Sequence, residues 1–346
     1  MTQQSIAALQ KDDKFEGFLL VRSAEQRVGS NGSSYLDLTL GDKTGDMNAK
    51  VWNTAAPAPR VGTVLKVRAT ITEYNGRLQI RVEKYRASQK DDEVDFSQLV
   101  ATAPEPPEDM LDEVIQVIEG MTNPVLKQLT SALVKKAGEP LLYFPAAQRL
   151  HHATRSGLLH HITSMLRVAE AILPCYPFLD GDLVKAGIIV HDLSKLGELK
   201  SDELGNVRDY TQDGILVGHL VRGVSLIEQT AQELGFSYQD EYVMLLEHMV
   251  ISHHGVPEYG SPRPPMFPEA EMLHWIDVVD ARMNEMQGVL QRLKPGVFSE
   301  KIWSLERRLY HPRYLSEADL EDVESDGTAD EEYQVPDADN AYERLL

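Results

Sequence analysis

Cysteine is almost absent from this chain. Cys175 stands alone among 346 residues, so no internal disulfide can form, and stability has to come from buried cores. A lone cysteine also leaves no thiolate cluster, which argues against a structural zinc site. No apolar run approaches the ~20 residues that a membrane-spanning helix needs, so no membrane partner is expected. The start, MTQQSIAALQKDDK, lacks the basic segment and apolar core of a secretory signal. These absences together predict a cytoplasmic setting. The sequence also lacks a Gly-rich phosphate loop of the P-loop type. It offers no convincing Ser-His-Asp or Cys-His nucleophile.

What is present is unevenly charged. The formal net charge is −20. Residues 1–90 nevertheless hold 14 Lys/Arg against 9 Asp/Glu, a net of +5. Residues 91–113 hold 9 acids and no bases, and residues 315–346 hold 12 acids and one arginine. Most of the acidity therefore sits in two short blocks, which read as a solvated linker and a disordered tail. The predicted organisation is a first domain over 1–90, an acidic proline-containing linker over 91–113, a helical domain over 114–314 and a tail over 315–346.

Residues 14–86 alternate with period two. Leu36, Leu38 and Leu40 share one face of a strand, and Ala49 and Val51 share another, with Lys50 and Trp52 opposite. Leu65, Val67, Ala69 and Ile71 alternate with Lys66, Arg68 and Thr70, and Leu78, Ile80 and Val82 with Arg77, Gln79 and Arg81. Asn75-Gly76 between the last two runs marks a two-residue hairpin. Five strands in about 75 residues suggest a small closed barrel, and their order resembles an OB-fold. The outward Lys50, Trp52, Lys66, Arg68, Arg77 and Arg81 mix cations with an aromatic, as single-strand binding favours. An ordinary solvated barrel face explains the same residues equally well.

Beyond residue 108 the period becomes helical. Leu111, Val114, Ile115 and Ile118 share a face, as do Leu126, Leu129, Leu133 and Val134. Further helices are expected near 158–173, 183–193, 219–234, 242–252 and 270–290, with no strands of any length. Of 11 histidines all but His311 fall between 151 and 274: His151-His152, His160-His161, His191, His219, His248, His253-His254 and His274. Asp192, Asp277 and Asp280 accompany them. A lone helical histidine is more often structural than a ligand. The ordered set of imidazoles and carboxylates suits divalent manganese, iron, cobalt, nickel or zinc. His191 and Asp192 are adjacent, so they reach one ion together only at a helix end or an irregular turn. Lys195, three residues on, shares the face of Asp192 if the helix continues, and could hold a phosphate or be a solvated helix-end lysine.

These residues resemble a known superfamily. His161, His191-Asp192 and Asp277 match the H…HD…D pattern of HD-domain phosphohydrolases, and His191-Asp-Leu-Ser-Lys195 is similar to its HD-x-(G/S)-K form. The segment His151-His-Ala-Thr-Arg-Ser-Gly-Leu-Leu-His-His161, then Gly218-His219, Ile251-Ser-His-His-Gly255 and Leu273-His-Trp-Ile-Asp-Val-Val-Asp-Ala281 resemble the YhaM-type 3′–5′ exoribonucleases. Those proteins also place an OB-fold ahead of an HD domain. The resemblance covers about residues 10–310. It implies a multidomain chain, with an all-β OB-fold barrel followed by an all-α HD domain. It implies hydrolysis of single-stranded RNA, or single-stranded DNA, to nucleoside monophosphates, with one or two ions per site, manganese first, magnesium or the other metals above as alternatives. His161, His191 and Asp277 would hold one ion, His219 and His253 with His254 the other, and Asp192 would bridge both. Asp192 and Lys195 would be catalytic. His152, His160 and Asp280 would orient ligands or face the substrate, and His274 would hold no metal. A homo-oligomer is compatible with the resemblance. A hydrolase of small nucleotides, and a nucleic-acid-binding protein with an inactive HD site, are the alternatives.

Overall fold

The computed structural model describes residues 3–29, 32–89, 91–149 and 151–315. The expected acidic tail lies, from residue 316, outside the described residues. The chain divides into two compact units, Met1–Ala101 and a second beginning at Thr102.

The first unit is a closed five-stranded barrel. Its strands are β1 (Lys14–Val28), β2 (Ser34–Asp42), β3 (Gly45–Val51), β4 (Val64–Tyr74) and β5 (Arg77–Ala87), in the spatial order β1-β2-β3-β5-β4. Closure depends on the length of β1. Its first half pairs with β4 and its second half with β2, and the register shifts between Val21 and Ser23. Such a bulge bends the strand, so one strand serves both neighbours. A short parallel seam, Ala49 beside Ile80 and Lys50 beside Arg81, joins β3 to β5. The expected inward residues from Leu36 to Ile71, with Ile80 and Val82, form the core. Leu78 is the exception. It pairs with Glu73 beside the hairpin tip, past the end of the core, and is exposed. At that tip Asn75 and Gly76 both have positive φ, 50° and 76°, as a type I′ turn requires.

The segment 91–113, expected as a linker, is largely structured. Phe96–Gln98 forms a 3₁₀ turn capped by Asp95, and Gln98 O accepts from Lys43 N–H in the barrel unit at 2.9 Å. Helix α1 (Pro107–Gly120) begins inside it. Part of what reads as linker composition is a helix start: Pro107 opens the helix, and Glu108 and Asp109 complement the dipole of its first turn.

The second unit is helical. After α1 come α2 (Pro124–Ala137), α3 (Gly157–Ile172), α4 (Gly181–Val190) and α5 (Lys195–Glu198). A hairpin of β6 (Leu199–Ser201) and β7 (Val207–Tyr210) follows, then α6 (Gln212–Leu216), α7 (Gly218–Glu233), α8 (Glu241–Ser252) and α9 (Pro268–Gln291). The hairpin was not expected, because strands of three and four residues are too short to show alternation. The buried face of α1 is Met110, Val114 and Ile118, a slight rotation from the expected one that leaves Ile115 exposed. Helix α4 is the axis of the core. Leu183, Val184, Ala186, Gly187, Ile188, Ile189 and Val190 are all buried. A Cβ at Gly187 would come within 2.2 Å of Met249 Cε, so the Met249 side chain of α8 packs into the space that glycine leaves.

Candidate metal centre and nucleic-acid face

Helix α4 stops at Val190, and His191-Asp192 occupies the irregular turn between it and α5. This break lets two adjacent side chains face one point. Helix α3 brings His161, and the first turn of α7 brings His219. His253 and His254 lie just past the end of α8, and Asp277 and Asp280 project from α9. All of these are buried.

Asp192 is the hub. His191 Nε2 and His161 Nε2 lie 3.3 and 3.9 Å from its Oδ2, and His219 Nε2 and His253 Nε2 lie 3.6 and 3.7 Å from its Oδ1. Asp277 Oδ1 is 3.3 Å from His161 Nε2. Three sets, His161/His191/Asp192, His191/His253/Asp277 and His219/His253/His254, each offer ligand atoms within 4.8 Å of one another. Lys195 Nζ contacts Asp192 Oδ2 at 2.8 Å.

The outer nitrogens fix what the inner ones can do. His191 Nδ1 donates to Ile188 O at 2.8 Å and His253 Nδ1 to Val250 O at 2.7 Å. A carbonyl only accepts, so Nδ1 carries the proton in both and Nε2 keeps its lone pair. His219 Nδ1 lies 2.9 Å from Glu198 Oε2, and His161 Nδ1 lies 2.7 Å from Asp280 Oδ2. Four Nε2 atoms thus converge, and all four, with Asp192 Oδ1, are buried without a hydrogen-bond partner among the described residues. Buried polar atoms in such numbers are rare without an ion to satisfy them. The donors are nitrogen and oxygen only, and each imidazole is braced on its far side, as metal-binding histidines are. The residues therefore fit divalent metal ions.

The electrostatics agree. Burial raises the Asp192 pKa, but Lys195 and His191 outweigh it and hold the carboxylate well below its ordinary range. Asp277 is likewise held low by His161 against its burial. Burial lowers the pKa of His253 and brings that of His254 down to about 4, so both are neutral, as ligands must be. His161 is opposite: burial lowers it, but Asp277 and Asp280 prevail and raise it to about 10, so an ion bound there would have to displace the Nε2 proton that faces Asp277.

His152 and His160 lie behind the centre. Asp280 Oδ2 is shared between His161 and His152 Nε2, the latter at 2.8 Å, and His152 Nδ1 lies 3.1 Å from His160 Nδ1. Both line a cavity of about 390 Å³ with Asp280, Arg167 and Asn284. His152 adopts φ 50° and its N–H donates to Asn284 Oδ1 at 2.9 Å. His248 accepts from Met266 N–H, and His274 Nδ1 donates to His253 O, so neither joins the centre. Sequence reasoning missed Glu198 and gave His151 no role. The His151 ring sits 5.6 Å from that of His161, and burial lowers its pKa to about 3. The doubled His151-His152 was the available signal for it. Glu198 left none beyond its place three residues after Lys195.

On the barrel the six proposed contact residues do not form one surface. Lys50 and Arg81 are side by side on the parallel strands β3 and β5, whereas Trp52 follows the end of β3 and Arg77 opens β5, in opposite directions from that pair. Trp52, half exposed, packs against Tyr35 with ring centroids 4.8 Å apart, a partner the sequence reading overlooked. Lys50 is held by Asp37 at 2.5 Å. Lys66 and Arg68 belong instead to the β1–β4 side. There Arg68 makes two hydrogen bonds to Glu16, and Lys66 lies 3.6 Å from Asp92. Cross-strand neighbours occupy Lys50 and Arg68, and Asp92, past the end of β5, lies near Lys66, which sequence alternation alone cannot reveal. Arg77 and Arg81 make no ion pair with a described residue, and both are exposed.

Comparisons with known proteins agree with this architecture. An OB-fold nucleic acid binding domain family matches residues 19–87, and the HD domain family matches 158–282. The 3′-5′ exoribonuclease YhaM of Geobacillus sp. (strain WCH70) is 39% identical over 307 residues, 88% of this chain and 93% of that protein. The protein of the same name from Bacillus pumilus (strain SAFR-032) is 40% identical over 296 residues, 85% and 93% of the two chains. That of Bacillus subtilis (strain 168) is 39% identical over 304 residues, 86% and 95%. With an OB-fold barrel, an HD domain and relatives matched along nearly their whole length, the chain belongs to the YhaM family of 3′–5′ exoribonucleases.

Proposed function

We propose that this chain removes nucleotides one at a time from the 3′ end of single-stranded RNA, and of single-stranded DNA, using two divalent ions, manganese first among them. The observation that carries the two-ion reading is Asp192. Its two oxygens face different pairs of histidines, His191 and His161 on one side and His219 and His253 on the other. His161, His191 and Asp277 with Asp192 would hold one ion, and His219, His253 and His254 the other. Bound there, such ions would supply Lewis acidity toward the phosphate and a water of lowered pKa.

The chain's own residues do the rest. Lys195 stays charged although buried, because Asp192 outweighs the cost of its desolvation. Its ammonium therefore brings a fixed positive charge to the site, suited to a phosphate oxygen. Asp280 and His152 hold the His161 ring at its angle. On the barrel, Trp52 against Tyr35 offers a stacking surface, and Arg77 and Arg81 are available to phosphates. A cytoplasmic setting fits a chain in which, among the described residues, no helix is long and apolar enough to cross a membrane.

The test is a time course on a 5′-labelled RNA with Mn²⁺, run beside Asp192→Ala. A ladder shortening from the 3′ end, absent in the variant and in chelator, is expected. No cleavage by the unaltered chain with any of several metals would overturn the reading, as would equal cleavage by both proteins.

A further inference from the structure

Glu198 closes α5 and is buried. Its carboxylate grips His219 twice. Oε2 lies 2.9 Å from Nδ1, and Oε1 accepts the His219 backbone N–H at 3.1 Å. Glu198 is itself clamped. Its carbonyl accepts from Thr211 N–H at 2.8 Å. A Cβ on Gly214 would come within 2.4 Å of that carbonyl oxygen and 2.9 Å of Glu198 Cγ, so the space is fully used. Gly218, at φ 77°, turns the chain immediately before His219 in a way other residues adopt only with strain.

His191, His253 and His161 are braced differently. Backbone carbonyls hold His191 and His253, and Asp280 holds His161. Glu198 braces His219 on the other side of Asp192. We propose that Glu198 is the positioning residue of the second ion, fixing the tautomer and aim of His219. The inference rests on the two-ion reading above.

The chemistry is specific to a carboxylate. Two acceptor oxygens meet two N–H donors, so the Nδ1 proton is retained and the Nε2 lone pair stays available. A glutamine has one acceptor and one NH₂. In one orientation its NH₂ opposes the backbone N–H. In the other it donates to Nδ1 and forces the imidazole proton onto Nε2, which closes the ligand atom. An aspartate keeps both acceptors on a stem one methylene shorter.

The experiment uses the full chain, stripped by chelator and titrated with Mn²⁺ in a calorimeter. The unaltered chain is compared with Glu198→Gln, Glu198→Asp, His219→Ala and the double variant Glu198→Gln/His219→Ala, with circular dichroism to verify folding. The unaltered chain should bind two ions. Glu198→Gln should weaken one of them by about 10–100-fold, the usual effect of losing a ligand's outer partner, and leave the other unchanged. The double variant should bind no worse than His219→Ala, because the effect passes through that ring. Binding by Glu198→Gln equal to the unaltered chain would overturn the proposal. So would a Glu198→Gln loss that adds in full to that of His219→Ala. If Glu198→Gln does not fold, the same cycle is read with Glu198→Asp. A single ion in the unaltered chain would refute the two-ion reading, and the cycle measured on that ion would still decide the role of Glu198.

Discussion

Asp192 and Arg68 show how differently single residues can be read from sequence. Asp192 was legible because it completes the H…HD…D pattern, and it could share an ion with the adjacent His191 only at a helix end or irregular turn, where α4 does end. Its replacement by alanine should cut activity by about 10²–10³-fold or more, the scale of losing a main electrostatic contact in an active site. Steady-state cleavage at saturating Mn²⁺ measures this. Arg68 was misread because its freedom depended on Glu16 across the strand pair, and no alternation pattern contains that register. The prediction follows directly. Arg77→Ala and Arg81→Ala should each weaken RNA binding and reduce the slope of log affinity against log salt by about 1. Arg68→Ala should leave that slope unchanged. Binding isotherms between low and moderate salt distinguish the two behaviours. Glu198 and Tyr35 were unreadable for a related reason: each acts through a neighbour that folding supplies.

Among elements, the helices were legible wherever one apolar face lasted three turns, and their ends less so. The N-terminal turn of α4 shows what holds such ends together. Asp182 accepts from Thr122 N–H at 2.7 Å, from its hydroxyl at 2.8 Å and from Asn123 N–H at 2.9 Å, tying α4 to the start of α2. Burial raises its pKa, but these donors outweigh it and hold the carboxyl below its ordinary value of 3.8. A carboxyl lowered on folding stabilises fully above its unfolded pKa and loses that stabilisation as pH falls through the folded one. Asp182→Asn should therefore be less stable than the unaltered chain by about 1–2 kcal/mol at neutral pH. The gap should close as pH drops below about 4. Urea unfolding midpoints across that range provide the check. The loop before α3 is a second case. A Cβ on Gly157 would sit 1.9 Å from His152 O. Gly157→Ala should therefore displace the loop that carries His151 and His152. Lower activity and weaker binding of one Mn²⁺ ion are expected, because His152 braces the Asp280 carboxylate that holds His161.

At the scale of the whole molecule, the change from period-two to helical patterning announced two folding units, although composition alone spread the join over the broad segment 91–113. The first unit ends at Ala101, and α1 starts at Pro107. Each ion that binds only the folded helical unit adds about 2.7 kcal/mol at 100 times its dissociation constant. For two ions on a unit of some 200 residues that is about 11–22 °C in Tm. Chelator should lower one calorimetric transition by this amount and leave the barrel's transition in place. A uniform shift of all unfolding would contradict that expectation. The ligands of the centre are scattered along the chain, from His161 on α3 to Asp277 on α9. During synthesis, then, every histidine of the centre emerges before the aspartate that completes it. A chain broken off ahead of α9 would carry the nucleic-acid barrel and most of the ligands, yet have no finished site. Interrupted translation products would thus be binders of RNA rather than destroyers of it, and the capacity to degrade would arrive only with α9.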